Sequence, residues 1–207
     1  MSDSVRTEDD VRVAFQSCKS PDAKDQVQFY DSWAENYEKD VTLLSYRAPY
    51  LAVDFLSDNF SGSPEEARVL DVACGSGWVA KLMVELGFMH FVGVDSSKGM
   101  LEQAAKTSLY QDLKLALLGT EPLPAQTGGF VCIARGDHRG TPANEYKKDL
   151  ERELQLMEED GLWSPVGLKQ TDRYMEDPHL SPEILKSLQK EERYLSGSFY
   201  LYRKSIH

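Results

Sequence analysis

Cysteine is scarce, with Cys18, Cys74 and Cys132 standing in unrelated contexts and no CxxC pair among them. An odd, scattered set of this kind neither staples a small fold nor spaces itself as a zinc site. No disulfide framework and no metal centre is therefore expected, and the compartment should be reducing. Basic charge is also in deficit, at 23 Lys and Arg against 34 Asp and Glu, a formal charge of -11. A surface that tracks nucleic-acid phosphates would have to work against that field, so a nucleic-acid partner is not expected. Long apolar runs are missing too. The most apolar stretch, around residues 69–79, is broken by Asp71, Gly75 and Gly77, far short of the roughly 20 residues a membrane span needs. Residues 1–30 hold no uninterrupted apolar core of a signal peptide, so the expected compartment is the cytoplasm, with the nucleus as a second option. Repeats and low-complexity tracts are absent from the chain.

With 41% hydrophobic and 28% charged residues over 207 positions, the composition suits one globular domain with a single core. Segment 29–40, FYDSWAENYEKD, sets Phe29, Trp33 and Tyr37 at i, i+4 and i+8, an aromatic helical stripe on an acidic background. A second helix should follow Pro49, although its apolar positions Leu51, Val53, Phe55, Leu56 and Phe60 are loosely spaced, and 61–67 reads as a loop. From Arg68 the pattern becomes strand (RVLDVA), glycine turn (CGSG), helix (WVAKLMVELG) and strand (HFVGVD). Apolar runs alternating with amphipathic helices predict an α/β, doubly wound, mostly parallel sheet. A helix over 98–108 leads to a third run at 113–118, a proline-containing loop and a fourth run at 130–134. A long helix over about 143–160 follows, then strands at 166–174 and 197–204 with a helical segment, 181–192, between them.

The chemistry gathers at the first glycine turn. VLDVACGSGWVA ends a strand and opens a helix, where glycine lets a ligand press against bare backbone and the helix N-terminus offers free N–H groups. Eighteen residues beyond Gly77 the second strand ends in Asp95, well placed to take the hydroxyls of a ribose at the carboxyl ends of the strands. Singly, these features suit a tight turn and a helix cap as well as a ligand; together they favour a nucleoside. A dinucleotide fingerprint would need a third glycine, but Trp78, Val79, Ala80 and Lys81 follow Gly77, which disfavours a nicotinamide oxidoreductase.

Asp71, Cys74, Gly75, Ser76 and Gly77, with Asp95, resemble motif I and the ribose acid of the class I S-adenosylmethionine-dependent methyltransferases. The resemblance continues through FYDSWAENYEKD, YRAP at 46–49, GVDSSKGMLEQA, LGTEPLP and FYLYRK, from about residue 28 to 204. It implies a Rossmann-like sheet with a C-terminal antiparallel strand under an N-terminal helical lid. It also implies S-adenosylmethionine as cofactor, S-adenosylhomocysteine as product, and an unidentified small-molecule or protein acceptor. By the same resemblance Asp71, Ala73, Cys74, Gly75, Ser76, Gly77, Asp95, Ser96, Met100, Thr120 and Glu121 bind the cofactor, with its methionine part over the Gly75–Gly77 loop, its ribose on Asp95, and its adenine near Ser96 and the loop after the third strand. Tyr30, Trp33 and Tyr37 become lid candidates, with packing on the sheet the alternative for Trp33. The division that follows is a flexible segment 1–27 and one domain, 28–207. That domain comprises N-terminal helices (28–60), a cofactor-binding core (68–134) and a helix with C-terminal strands (142–207). A monomer is expected.

The family pattern has seven strands, and this chain is short of one. Eleven residues separate Leu118 from Phe130, and GGFVCIAR resembles the family's fifth strand rather than its fourth. A strand–helix unit of roughly 30 residues is missing from the pattern. The remaining strands could close up, the fifth taking the place of the fourth. His138, just past that strand, is the one candidate general base, with a solvated loop histidine as its plain alternative; His90, His179 and His207 look incidental. A shortened acceptor side also leaves open a non-catalytic protein that binds cofactor or serves as an interaction module.

Overall fold

The structure is a computed structural model that describes residues 6–17, 22–117, 128–138 and 141–205. In chain order it contains α1 (Glu8–Ser17), α2 (Ala23–Trp33), α3 (Tyr37–Leu43), α4 (Ala48–Asn59), β1 (Arg68–Val72), α5 (Trp78–Glu85), β2 (His90–Asp95), α6 (Lys98–Lys106) and β3 (Tyr110–Leu115). Then come β4 (Phe130–Gly136), α7 (Thr141–Glu159), β5 (Trp163–Glu176), α8 (Pro182–Ser187), a 3₁₀ turn (Lys190–Arg193) and β6 (Tyr194–Lys204). The strand–turn–helix alternation after Arg68 falls where the sequence pattern puts it.

The strands make two sheets. β1–β2–β3 is parallel, with β2 in the middle, and β4–β6–β5 is antiparallel, with β6 in the middle. The expectation that the fourth apolar run would move in beside β1 needs correction. β4 pairs along its whole length with β6, from Phe130 opposite Arg203 to Gly136 opposite Gly197, and no described strand pairs with the other edge of β1. On the β4–β6 pair, Val131 and Ile133 pack with Leu154, Tyr200 and Tyr202 under α7. Three boundaries shift as well. β3 begins at Tyr110 instead of 113, because the register runs from Phe91 opposite Tyr110 to Asp95 opposite Leu115. β5 is longer than expected, starting at Trp163. The segment 181–192 splits at Leu188 into α8 and the 3₁₀ turn.

Helix α4 joins the halves. Pro49 sits in its first turn, where a missing N–H costs nothing. Ala48, Leu51, Ala52 and Phe55 pack in one core with Tyr174, Met175, Leu195 and Phe199 of the antiparallel sheet. Val53, Leu56 and the following Phe60 enter a second core with Ala80, Met83, Phe88 and Phe91 of the parallel half. The loose apolar spacing of α4 is thus two stripes on two faces.

The N-terminal region departs from expectation. Residues 8–17, read from the sequence as part of a flexible segment, form α1, whose Val11 and Arg12 are buried. The Arg12 guanidinium donates to the Glu176 carboxylate at 2.7 Å and to the Asp177 carbonyl, tying α1 to the end of β5. The aromatic stripe is also not one helix. The chain turns at 34–36, so Phe29 and Trp33 belong to α2 while Tyr37 opens α3.

β1 is an edge strand here, with Val69, Leu70 and Val72 only half-buried, whereas a strand in a parallel sheet covered on both faces is normally dry. Amide hydrogen exchange should therefore show alternating protection along residues 68–72 and continuous protection along Val92–Val94 of β2, which is paired on both sides. Uniform protection of β1 equal to that of β2 would contradict the open edge.

Candidate functional site

The glycine turn lies between the end of β1 and the start of α5. Ala73 (φ 55°), Gly75 (φ 53°) and Gly77 (φ 84°) all adopt left-handed backbone, the sharp reversal that returns the chain into a helix. At Gly75 a Cβ would meet nothing within 4 Å, so the backbone borders open space that a ligand can approach. At Gly77 a Cβ would come 3.1 Å from the Tyr110 ring, so this glycine serves packing beneath the loop. Gly77 is also the N-cap of α5, whose first N–H groups open toward the turn.

Asp95 fixes the loop against the second turn. One carboxylate oxygen accepts from the Gly75 N–H and the other from the Ser97 N–H, both at 2.8 Å. Each oxygen keeps a further lone pair, and the residue remains half-exposed, so its acceptor capacity toward a diol is not exhausted. Ser96 follows it, half-exposed. It borders a groove of about 330 Å³ lined also by Val27 and Gln28 of α2, by Leu115 at the end of β3 and by Ala116 and Leu117 after it. A groove of this size beside the sheet's carboxyl edge suits a flat heterocycle.

The remaining residues singled out from the sequence fall into distinct environments. Asp71 is buried beneath the loop, where it accepts from the Tyr110 hydroxyl at 2.7 Å. Burial, first of all, lifts its pKa to about 6, with Tyr110 pulling the other way and Asp95 adding to the rise. Cys74 is buried, and burial followed by repulsion from Asp71 and Asp95 pushes its thiol up to about 12, so it is an inert packing group. The Ser76 hydroxyl is buried without a protein partner, a polar atom held in reserve in the loop itself. Met100 is buried in the first turn of α6, its N–H capped by the Ser97 hydroxyl. Thr120 and Glu121 lie outside the described residues.

Of the lid candidates, Trp33 is buried among Phe15, Phe29, Tyr30 and Tyr37 and donates its indole N–H to Asp40 at 2.6 Å. Tyr30 is more exposed, and Tyr37 is half-buried within electrostatic reach of Asp95. His138 is half-buried at the end of β4, its ring 6.1 Å from that of His179. Burial first, then His179, lowers its pKa, so the imidazole is unprotonated near neutral pH.

Sequence reasoning missed the groups that dock the helical cap. Asp31 of α2 accepts from the Ser97 hydroxyl at 2.6 Å and the Gly99 N–H at 2.8 Å, bonds that lower its pKa. Glu38 of α3 pairs with Lys81 of α5 at 2.7 Å. Also missed was the grouping of Tyr37, Tyr46 and Tyr174, in which the rings of Tyr46 and Tyr174 meet edge-on at 5.6 Å and burial raises the pKa of all three hydroxyls. No local motif marks such contacts, since each joins residues far apart in the chain.

Known proteins fit this geometry. The methyltransferase domain family matches residues 69–157. Methyltransferase-like protein 27 of Homo sapiens is 39% identical over 184 aligned positions that take in 74% of this chain and 74% of that protein. Among solved structures, magnesium protoporphyrin IX methyltransferase of Synechocystis PCC 6803, with bound SAH, superposes with a TM-score of 0.56 at 13% identity. That match covers 95% of this chain and all (100%) of that one. A chain from the complex of the Haloferax volcanii Trm112 methyltransferase activator with a putative methyltransferase gives 0.58 at 12% identity, covering 86% and 96%. At these identities the structural likeness is one of fold.

The raised pKa of Asp71 has a thermodynamic consequence. A carboxyl whose pKa is higher in the fold than in the unfolded chain binds more protons when folded, so stability falls as pH rises from about 4 to about 6. At about 1.36 kcal/mol per pKa unit the loss approaches about 3 kcal/mol. In denaturant titrations Asp71→Asn should gain on the native protein by about that amount between pH 4 and pH 7. Parallel pH profiles would refute the assignment.

Proposed function

This chain belongs to the class I S-adenosylmethionine-dependent methyltransferases, and we propose that it binds S-adenosylmethionine and passes its methyl group to a small-molecule or protein acceptor. The observation that carries the reading is the Asp95 clamp on a left-handed glycine turn whose backbone borders open space. The donor set fits the group. Free helical N–H groups and the unpartnered Ser76 hydroxyl suit a carboxylate, Asp95 suits a ribose diol, and the groove beside Ser96 suits adenine. The acidic residues around the turn favour a ligand bearing a sulfonium and an ammonium.

Bound there, the cofactor supplies an electrophilic methyl group. Asp95 and the turn between Ala73 and Gly77 would orient it, and the cap formed by α2 and α3, pinned through Asp31 and Glu38, would exclude water and hold the acceptor in line. Such transfer needs a base only where the acceptor must lose a proton, and His138 is unprotonated and near the carboxyl end of β4.

A second reading has its own observation. The strand–helix unit absent from the sequence pattern, and the edge of β1 that pairs with no described strand, leave less scaffold on the side where an acceptor would sit. A protein that binds the cofactor but does not turn over is consistent with that loss. Binding and turnover must therefore be measured separately.

Calorimetric titration with S-adenosylhomocysteine should give saturable binding, weakened by about a hundredfold in Asp95→Ala through loss of charge-assisted hydrogen bonds, with an unchanged far-UV spectrum. Equal affinity in the variant would remove Asp95 from the site.

A further inference from the structure

Asp31, on α2, reaches across to the start of α6, 68 positions further along the chain. Its Oδ1 accepts from the Ser97 hydroxyl at 2.6 Å and from the Gly99 N–H at 2.8 Å. The Ser97 hydroxyl in turn accepts from the Met100 N–H at 3.1 Å. A helix begins with N–H groups that have no partner inside it, and the cap normally comes from the residue just before it. Here α6 draws one cap from Ser97, its own N-cap residue, and a second from another helix.

Ser97 carries the connection onward. It is buried, its hydroxyl donating to Asp31 and its N–H donating to Oδ1 of Asp95 at 2.8 Å. The other Asp95 oxygen accepts from the Gly75 N–H, also at 2.8 Å. An unbroken line of hydrogen bonds thus runs from α2 through Ser97 and Asp95 to the glycine turn. Every link ends on a carboxylate, so each is charge-assisted and fixes geometry as well as lending energy. A shift of Ser97 moves the carboxylate that a ribose would meet.

The backbone of α6 is shaped for this contact. A Cβ at Gly99 would come within 2.7 Å of the Asp31 carbonyl oxygen and 3.2 Å of the Ala34 Cβ, so α2 rests on bare backbone there. Two residues beyond Asp31, the Trp33 indole N–H donates to Asp40 of α3 at 2.6 Å, and Asp40 also pairs with Arg6 at 2.8 Å. The seat on α6 therefore sets where the aromatic side chains of the cap stand, with the Trp33 ring 5.0 Å from that of Tyr37.

We propose that Asp31 is a positioning residue for the cofactor site: through Ser97 it holds the Asp95 carboxylate in place for the ribose, so that docking of the cap and binding of the nucleoside reinforce each other. The inference rests on the methyl-transfer reading above and adds to it a residue that acts through its neighbours. By linkage the effect runs both ways, since a diol that locks Asp95 also steadies Ser97 and the seat of α2. Asp31 lines the groove beside Ser96 as well, so a direct pull of its charge on the cofactor is the rival route. The two routes part at Asp31→Asn, which keeps an oxygen able to accept from Ser97 and Gly99 but carries no charge.

The test is calorimetric titration of the full chain with S-adenosylhomocysteine, paired with residue-resolved amide exchange of the ligand-free protein. Asp31→Ala should weaken binding by about tenfold and Asp31→Asn by less than about threefold, each with its fold checked by thermal midpoint. In an Asp95→Ala background the same Asp31→Ala change should cost less than about twofold, because the residue it acts through is gone. Without ligand, the Gly75 N–H, at the far end of the line, should exchange several-fold faster in Asp31→Ala. Gly99→Ala leaves both carboxylates in place and lifts α2; it should reproduce both effects, and it carries the test should Asp31→Ala not fold. Native affinity in Asp31→Ala, an equal loss in both backgrounds, or an unmoved Gly75 amide each overturns the proposal. Asp31→Asn binding as weakly as Asp31→Ala assigns the effect to charge and overturns it too. If the native protein binds S-adenosylhomocysteine and these comparisons fail, the role of Asp31 falls alone; if the native protein does not bind it, the methyl-transfer reading falls and takes this one with it.

Discussion

Two three-stranded sheets that share no described hydrogen bond are held in one fold by helix α4, and that constraint governs the rest of the molecule. Its two apolar faces enter different cores: Leu51 and Phe55 go to the antiparallel half, Val53 and Leu56 to the parallel half. A short helix with one stripe would cover one sheet and leave the other without a partner. The ring contact between Phe60 and Phe130 at 6.1 Å continues the same bridge past the helix end. The consequence is that the glycine turn, on the parallel half, and the Tyr174 and His138 region, on the antiparallel half, keep a shared cap even though the strand that joins them in the family pattern is missing.

The parts of the site differ in how well that arrangement supports them. The donor side is built from local geometry: β1, its turn, α5 and the end of β2 lie within one supersecondary unit, and Asp95 clamps them by two 2.8 Å bonds. Loss of a remote strand leaves those contacts untouched. The cap side depends instead on contacts between segments distant in the chain, such as Arg47 N–H to the Tyr174 carbonyl and the Tyr46 ring on that of Tyr174. It is here that the shortened scaffold bears on function, and here that relatives of 12–13% identity offer the fold and nothing more.

Legibility in the sequence follows the same division. The glycine turn, Asp95 and the alternation of strand and helix were readable because each is set by local rules: left-handed backbone at Gly75 and Gly77, an acid at a strand end, and periodicity. The missing unit was readable as a length. What could not be read was the response to it. β4 pairs with β6 along one edge, and neither its other edge nor that of β1 has a described partner strand, so the two sheets stay separate. The helix of residues 8–17 was also invisible, since its acidic surface gave little apolar periodicity and its anchor, Arg12 on Glu176, spans nearly the whole chain.

The account claims that two half-sheets behave as one cooperative domain that carries a cofactor site. The most direct measurement is equilibrium unfolding followed in parallel by tryptophan fluorescence and far-UV circular dichroism, with and without S-adenosylhomocysteine. A single transition, coincident by both probes and raised by about 2.7 kcal/mol when the ligand is at a hundred times its Kd, is the predicted result. Two separable transitions, or one that the ligand does not move, would contradict it.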